Sequence, residues 1–217
     1  MTAAVFLQLL VAGVLLGGVY ALISIGLTLI FGVMRIVNFA HGEFLMLGMY
    51  LSYYLVTTAH LNPYAAVLVV APAFYLFGLV VEVIVIKPTI GRADVVQVFA
   101  TVGLSIVLQA AALMLFSANV VGLNVPISNA LLQAAPVSVG VPQLLAFVAA
   151  ALVAGGLFFF LGRTDIGRAI RATAQDRSAA ALMGIDVASV YRLTFALGSA
   201  MTGLAGALLM PIYSVSP

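Results

Sequence analysis

The chain opens with MTAAVFLQLLVAGVLLGGVYALISIGLTLIFG, Met1 to Gly32, a run that contains no Lys, Arg, Asp or Glu. About 20 apolar residues are enough for a helix to cross the hydrocarbon core of a bilayer. The run lacks the basic start of a secretory signal peptide, and its apolar part is too long for the core of one. It therefore predicts a first transmembrane helix that stays in the mature protein.

The rest of the chain has the same composition. Of its 217 residues, 65% are hydrophobic and only 6% are charged, whereas about a quarter of the residues of a soluble domain carry charge. This composition places the chain among membrane proteins. Because it has no cysteine, neither a disulfide framework nor a thiolate metal site is expected.

Six segments are apolar and long enough to span a bilayer. They predict an all-α fold, a polytopic transmembrane helical bundle that forms a single domain over residues 1–217. The second segment has the shortest apolar run, because Asn38, His41 and Glu43 lie at its start. Such a start suggests a broken or re-entrant piece, which is tolerated only when protein or water surrounds it. The predicted spans are 5–31, 39–58, 63–86, 95–116, 141–162 and 190–211.

The basic residues predict the orientation of the spans, since Lys and Arg concentrate in cytoplasmic loops. All eight follow the first, third and fifth spans. These alternate connections are therefore predicted to be cytoplasmic, with the N-terminus outside. The uncharged, turn-rich segment 117–140 is predicted to be an external loop that dips into the membrane.

The fourth span carries a polar stripe, since Gln97, Thr101, Ser105 and Gln109 recur at every fourth position. Polar groups in a bilayer core are costly unless they are paired or hydrated. Two interpretations remain equally open, the lining of a pore and hydrogen bonding to a neighbouring helix. Together with Asn38 and His41, these four residues form the candidate translocation path.

Small residues recur at every fourth position in two other spans, as Gly13, Gly17 and Ala21 and as Thr194, Gly198, Thr202 and Gly206. Such stripes favour close packing of membrane helices. Glu82, near the end of the third span, is expected to reach toward the headgroups or to pair with Lys87 or Arg92.

Covalent chemistry is not expected of this sequence. It has two His and no Cys, and no nucleophile stands beside a base in a recognisable pattern. His41 and Glu43 lack a third ligand for a metal, so a structural hydrogen bond is the expected role of His41. No phosphate-binding GxxxxGK[ST] motif occurs. No catalytic residue, metal or cofactor is therefore assigned to this chain.

The most charged stretch, GRAIRATAQDRSAAALMGID from Gly167 to Asp186, lies between two apolar segments. It predicts a helix of ten residues, about 15 Å long, with Thr173 as N-cap and Asp176 in the first turn. Gly184 is predicted to end this helix at positive φ, and Asp186 to cap the last span. The helix is expected to show a flat face, formed by Ala179, Ala180, Met183 and Gly184, between Arg168, Arg171 and Arg177.

Part of this stretch, SAAALMG from Ser178 to Gly184, resembles the Glu-Ala-Ala-x-x-x-Gly signature of the cytoplasmic coupling loop in ABC importer permeases. Ala179, Ala180 and Gly184 match the signature, and Ser178 stands where it has Glu. Three longer segments are similar to the branched-chain amino acid permease family. They are GGVYALISIGLTLIFGVMRIVNFAHGEFLMLGMY (17–50), ATVGLSIVLQ (100–109) and GRAIRATAQDRSAAALMGIDVASVYRLTFALGSAMTGLAGAL (167–208).

The resemblance implies an inner-membrane subunit of a bacterial importer for leucine, isoleucine and valine. Its implied partners are a second permease, two cytoplasmic ATPases that hold ATP and magnesium, and a periplasmic binding protein. No nucleic acid is expected. Residues 163–192 would form the cytoplasmic coupling loop. Family members continue beyond Pro217 with further spans, so this chain is expected to be truncated. The residues expected to bind the ATPase are Thr173, Asp176, Arg177, Ala179, Ala180, Met183 and Gly184.

Two other functions remain open. The same architecture serves urea or short amides in close relatives. A secondary transporter or channel that works alone is the alternative from another class. In the latter, the helix at 173–184 would be dispensable, whereas an ABC permease requires it.

Overall fold

The computed structural model describes residues 3–124, 130–134 and 137–217, and these are mostly helical. A π-helical turn, Glu82–Ile86, and a 3-10 turn, Lys87–Thr89, extend the third helix. The helices are α1 (Ala3–Met34), α2 (His41–Thr57), α3 (Pro63–Val81), α4 (Asp94–Phe116), α5 (Val141–Arg163), α6 (Asp165–Gln175), α7 (Arg177–Leu182) and α8 (Val187–Leu209).

The all-α bundle is confirmed, and within the described ranges five segments are long and apolar enough to cross a membrane. They contain α1, α3 with its extension, α4, α5 and α8. The second predicted span corresponds to α2, which has only 17 residues. A helix of this length is about 26 Å long, somewhat less than the thickness of the hydrocarbon core.

Helix α8 forms the centre of the bundle, where it packs against α1, α2 and α3. Lipid gives apolar helices no drive to associate, so close approach of their backbones has to hold them together. The predicted packing stripe of α8 does this. A Cβ on Gly198 would lie 2.6 Å from Ile30 of α1, and one on Gly206 would lie 2.4 Å from the Leu45 carbonyl of α2.

The small residues of α1 behave differently. A Cβ on Gly13 or Gly17 would meet no atom of the described chain within 4 Å. The packing predicted for this stripe is therefore not made by the part of the chain that the structure describes. The close contact of α1 with α8 lies elsewhere, where Gly26 faces the carbonyl of Gly198.

A non-helical break separates α1 from α2. Arg35 adopts the left-handed conformation, with φ 59°, which ends α1. Asn38 then organises the turn, since its Oδ1 accepts from the Ala40 N–H at 3.2 Å and its carbonyl accepts from the His41 N–H at 3.3 Å. Ile36, Asn38 and Ala40 are buried, whereas Val37 and Phe39 are exposed, so one side of the break packs against protein, which irregular backbone in a membrane requires.

The break carries the chain back alongside α1. His41 lies 3.1 Å from the carbonyl of Ile23, which is 11 residues before Met34, about 16 Å along the helix. Helix α2 therefore begins inside the bundle and not at the end of α1, which is why it is short.

The predicted external loop 117–140 contains an antiparallel hairpin of strands β1 (Leu131–Ala134) and β2 (Val137–Gly140). The pairing places Leu131 opposite Gly140. Residues 125–129 and 135–136 of this loop lie outside the described residues. The Gln8 amide of α1 bonds both the N–H and the carbonyl of Ser138, at 2.8 and 2.5 Å, and so attaches the hairpin to the bundle.

Candidate translocation and coupling sites

His41, the first residue of α2, connects three elements. Its Nε2 lies 3.1 Å from the Ile23 carbonyl of α1 and 3.0 Å from Thr202 Oγ1 of α8. A carbonyl only accepts, so the form with a proton on Nε2 fits this site. Thr202 in turn donates to the Gly198 carbonyl at 2.9 Å. The structural hydrogen bond expected of His41 is therefore present at the junction of α1, α2 and α8.

The polar stripe of α4 faces this break. Ser105 donates to Glu43 Oε1 at 2.7 Å, and Thr101 Oγ1 lies 3.2 Å from the Val37 carbonyl. Gln97 reaches the Thr89 carbonyl at 3.4 Å. Three members of the stripe therefore bond to neighbouring elements, whereas Gln109 is exposed.

Asn38, His41, Glu43, Thr101 and Ser105 together form what we call the break cluster. Ser105 lies 11 residues after Asp94, the first residue of α4. It is therefore about 16 Å along the helix from the end that adjoins Arg92. Two atoms of the cluster, Asn38 Nδ2 and Glu43 Oε2, are buried without a hydrogen-bond partner among the described residues. Such atoms are rare and call for an explanation. A donor and a carboxylate oxygen are the groups that bind the two ends of a zwitterion.

The prediction for Glu82 is wrong. The side chain is only 1% exposed, and among the described residues neither Lys87 nor Arg92 comes within 4.0 Å of its carboxylate. The π-helical turn that begins at Glu82 packs against α8, which turns the side chain inward. Arg192 of α8 and Lys87 interact with its charge only at longer range.

The segment predicted to form one coupling helix, residues 173–184, belongs to two helices, α6 and α7. Helix α6 begins at Asp165 and its N-cap is Thr164, whose Oγ1 accepts from the Gly167 N–H at 3.0 Å. Thr173 is therefore not an N-cap. It lies inside α6 and is buried, on the same face as Gly167 and Ile170. Because this face packs against the bundle, α6 continues beyond Thr173 to Gln175.

Asp176 is the N-cap of the second helix, α7, and does not lie in its first turn. Its Oδ1 accepts from the Ser178 and Ala179 N–H groups at 2.8 and 3.0 Å. These bonds favour the ionised form and lower the pKa of the Asp176 carboxyl below its ordinary value of 3.8.

The predicted C-terminal end of α7 is present. Gly184 has φ 84°. Its N–H donates to the Ala181 carbonyl at 3.0 Å, and the Ile185 N–H donates to the Ala180 carbonyl at 3.1 Å, which is the Schellman arrangement. Asp186 caps α8 as predicted, through Ala188 and Ser189. Bonds from Ser189 lower the pKa of Asp186.

The exposed face of α7 differs from the prediction. Ala180 is buried, with 4% of its surface exposed, whereas Leu182 and Met183 are 89% and 83% exposed. Ala179 is exposed as well. It lies beside Leu182 and Met183, because residues three and four apart share a helix face. The face is therefore apolar and prominent. The same spacing could have identified Leu182 from the sequence.

Comparison with known proteins identifies the family. The family described as "Branched-chain amino acid transport system / permease component" matches residues 9–217. The chain belongs to this permease family. One relative is the high-affinity branched-chain amino acid transport system permease protein BraD of Pseudomonas aeruginosa, 32% identical over 97% of this chain and 72% of the relative.

Other relatives of this permease have similar names. The high-affinity branched-chain amino acid transport system permease protein LivH of Escherichia coli is 31% identical over 97% of this chain and 72% of its own length. A probable branched-chain amino acid transport permease protein of Methanocaldococcus jannaschii is 26% identical, again over 97% of this chain. No solved structure gives a significant match. The chain is thus a multi-pass transport permease component.

Residues predicted for separate sites of this permease come together in one cavity. Gln97 of the stripe, Thr173 of α6 and Arg177 of α7 all line it. Within the described ranges, no group of three or more His, Cys, Asp or Glu side chains is placed to hold a metal ion.

Proposed function

We propose that this permease forms the translocation path of an ATP-driven importer of leucine, isoleucine and valine in the bacterial inner membrane. A second permease completes the path, and a periplasmic binding protein delivers the amino acid. Two cytoplasmic ATPases hold ATP and magnesium, and this chain binds neither. The single observation that supports this proposal best is the capped helix α7, which holds Leu182 and Met183 out from the bundle.

An exposed apolar pair outside the spans favours a partner surface, since burial of such side chains stabilises a complex. The two ends of α7 are fixed by the Asp176 cap and by the Gly184 turn. A groove on an ATPase would therefore contact a rigid element. A segment that served only to set topology would need its arginines but no caps at both ends.

The connection from α7 to the bundle supports transmission of movement. Only residues 183–186 separate α7 from α8, and Asp186 caps the first turn of α8. Helix α8 contacts α1, α2 and α3 and carries Thr202, which lies against His41. Thr202 is 15 residues from Val187, about 23 Å along the helix. A displacement of α7 would therefore reach the break cluster through one rigid helix.

The break cluster is the proposed part of the path in this chain. Glu43 Oε2 and Asn38 Nδ2 are buried and unpartnered among the described residues. They would take the ammonium and carboxylate groups of the substrate as the surrounding helices separate. The neutral hydroxyls of Thr101 and Ser105 then replace part of its hydration.

The test is the substitution Gly184→Val, with Gly162→Val as the matched control. A β-branched residue is strongly disfavoured at the positive φ of Gly184. Gly162 lies in α5, and a Cβ there would meet nothing within 4 Å. We expect Gly184→Val to abolish ATP-driven leucine uptake in proteoliposomes and to release co-purified ATPase. Gly162→Val should keep both.

Each other outcome has a clear meaning. Normal ATP-driven uptake by Gly184→Val would refute the coupling role of α7. Leucine uptake by this chain without any ATPase would support the transporter or channel that works alone. Uptake of urea in place of leucine would keep the architecture and overturn the substrate.

A further inference from the structure

The cavity that unites Gln97, Thr173 and Arg177 has a volume of about 410 Å³. It opens between the end of α1, the segment 91–97 and the α6–α7 junction. Arg35 and Arg92 line it from two different connections between helices, and Arg177 lines it from the first position of α7. Asp94 is the one acidic residue among the lining residues. Three guanidinium groups against one carboxylate give the cavity a strong positive charge, and we call it the arginine cavity.

The three arginines are available to a ligand. In the part of the chain that the structure describes, the ion pair within 4.0 Å is Arg168 with Asp165, and neither residue lines the cavity. The positive charges of Arg35, Arg92 and Arg177 are therefore not neutralised within 4.0 Å by any of the described residues. Like charges brought together in this way repel one another unless an anion lies between them.

Two further features indicate that the cavity is a ligand-binding site. Arg35 has φ 59°, a conformation that is costly for a residue with a side chain and that is found at ligand sites. Thr173, in the wall of the cavity, is only 2% exposed, and its Oγ1 has no hydrogen-bond partner among the described residues. An oxyanion would accept from this hydroxyl as well as from the guanidinium groups.

The position of the cavity indicates the source of the anion. It lies at the end of the spans, beside the first turns of α4, where Val95, Val96 and Phe99 are exposed. Apolar side chains exposed on a membrane helix contact lipid tails. In a bilayer, the headgroups would therefore lie at the level of the arginines. Arg binds phosphate oxygens in pairs through its planar guanidinium group.

We propose that the arginine cavity binds the phosphate headgroup of an anionic phospholipid, held by Arg35, Arg92 and Arg177 and by the Thr173 hydroxyl. Basic cavities at the ends of membrane helices are suited to this ligand. The lipid would connect the end of α1 with the α6–α7 junction and so stabilise the coupling segment. This site is independent of the transported substrate.

The test uses the purified full chain in detergent, with phosphatidylglycerol as the probe and phosphatidylcholine as the neutral reference. Native mass spectrometry counts the bound lipid, and a thermal melt reports folding. Arg92→Gln is the main variant, with Arg177→Gln and Arg35→Gln beside it. Arg163→Gln and Arg168→Gln are matched controls, because they remove the same charge from exposed residues outside the cavity.

We expect phosphatidylglycerol to be retained over phosphatidylcholine, and each cavity variant to weaken it about fivefold. The two control variants should bind as the native chain does. Equal loss in cavity and control variants would overturn the proposal, since it would show attraction by net charge alone. Retention of phosphatidylglycerol by all three cavity variants would overturn it as well.

Three further measurements would identify other occupants of the cavity. Inorganic phosphate that displaces the lipid at millimolar concentration would assign the cavity to a soluble anion. Leucine that displaces it would assign the cavity to the substrate. ATPase capture lost in Arg92→Gln, with lipid binding intact, would assign the arginines to a protein interface. Each result would reject the lipid site, and none depends on whether the chain transports leucine.

Discussion

At the scale of single residues, the buried hydroxyls of α8 show how differently similar side chains are used. Thr194 and Thr202 are both fully buried. Thr202 contacts His41 and donates to Gly198, whereas Thr194 Oγ1 has no partner in the described part of the chain. The sequence placed both in one packing stripe, because spacing alone does not reveal which hydroxyl meets a polar group.

This difference predicts opposite effects of the same substitution. Thr202→Val leaves His41 without its α8 partner and should lower the free energy of unfolding by about 0.6 to 1.7 kcal/mol, the range found for hydrogen bonds between membrane helices. Thr194→Val removes an unpartnered hydroxyl and should be neutral or stabilising. Reversible unfolding in mixed micelles measures both. Equal losses of stability would contradict the role assigned to His41.

At the scale of elements, local motifs were predictable and their context was not. The Gly184 turn and the Asp186 cap depend on neighbouring backbone groups, so a short stretch of sequence specifies them. The predicted start of the coupling helix, with Thr173 as N-cap, was wrong. Thr164, Thr173 and Asp176 are all residues of types that cap helices, so residue type alone could not decide among them. Packing of Gly167, Ile170 and Thr173 against the bundle decides among them, and the sequence does not show this packing.

The polar stripe of α4 illustrates the same limit. Its four-residue spacing was visible in the sequence and left pore lining and helix bonding equally open. The structure shows bonds from Thr101 to Val37 and from Ser105 to Glu43. These partners could not be predicted, because the break turns the chain back along α1. No sequence period signals such a reversal.

The two Asp caps predict acid sensitivity of the α7 segment. Both carboxyls have a pKa below the ordinary value of 3.8, so their ionised form stabilises the fold above that pH. This stabilisation is lost as the pH falls through the lowered values. Hydrogen exchange, corrected for intrinsic rates, should show the amides of Ser178 and Ala188 losing protection below pH 3.8.

The matched variants are Asp176→Asn and Asp186→Asn, which cannot ionise. Each should lose the pH dependence of exchange at its own helix start and keep it at the other. If the amides of the native chain exchange at the same corrected rate at pH 5 and at pH 3, the caps do not stabilise these helices through charge.

At the scale of the whole molecule, α8 determines the arrangement of the bundle. Its small residues meet α1 at Gly26, α2 at Gly48 and α3 at Gly78. The approximate bounds of five of the six predicted apolar segments followed from the sequence, because they need only length and composition. The order of packing did not, since small-residue stripes occur in α1 and in α8 and only the latter meets neighbours throughout.

The close packing of α8 against α2 predicts the effect of one substitution. A Cβ on Gly48 would lie 2.5 Å from the Gly203 carbonyl oxygen and 2.8 Å from the Gly203 Cα. Both are backbone atoms, so α2 and α8 must move apart. Gly48→Ala should therefore destabilise the bundle by about 1–3 kcal/mol. The matched control is Gly13→Ala, which meets no described atom within 4 Å and should not destabilise, because Ala favours the helix by roughly 0.8–1 kcal/mol. Unfolding in mixed micelles compares the two variants.

Since separation of α2 from α8 also opens the contact between His41 and Thr202, Gly48→Ala combined with Thr202→Val should cost less than the sum of the single changes. Additive losses would show that the helix crossing and the break cluster are independent.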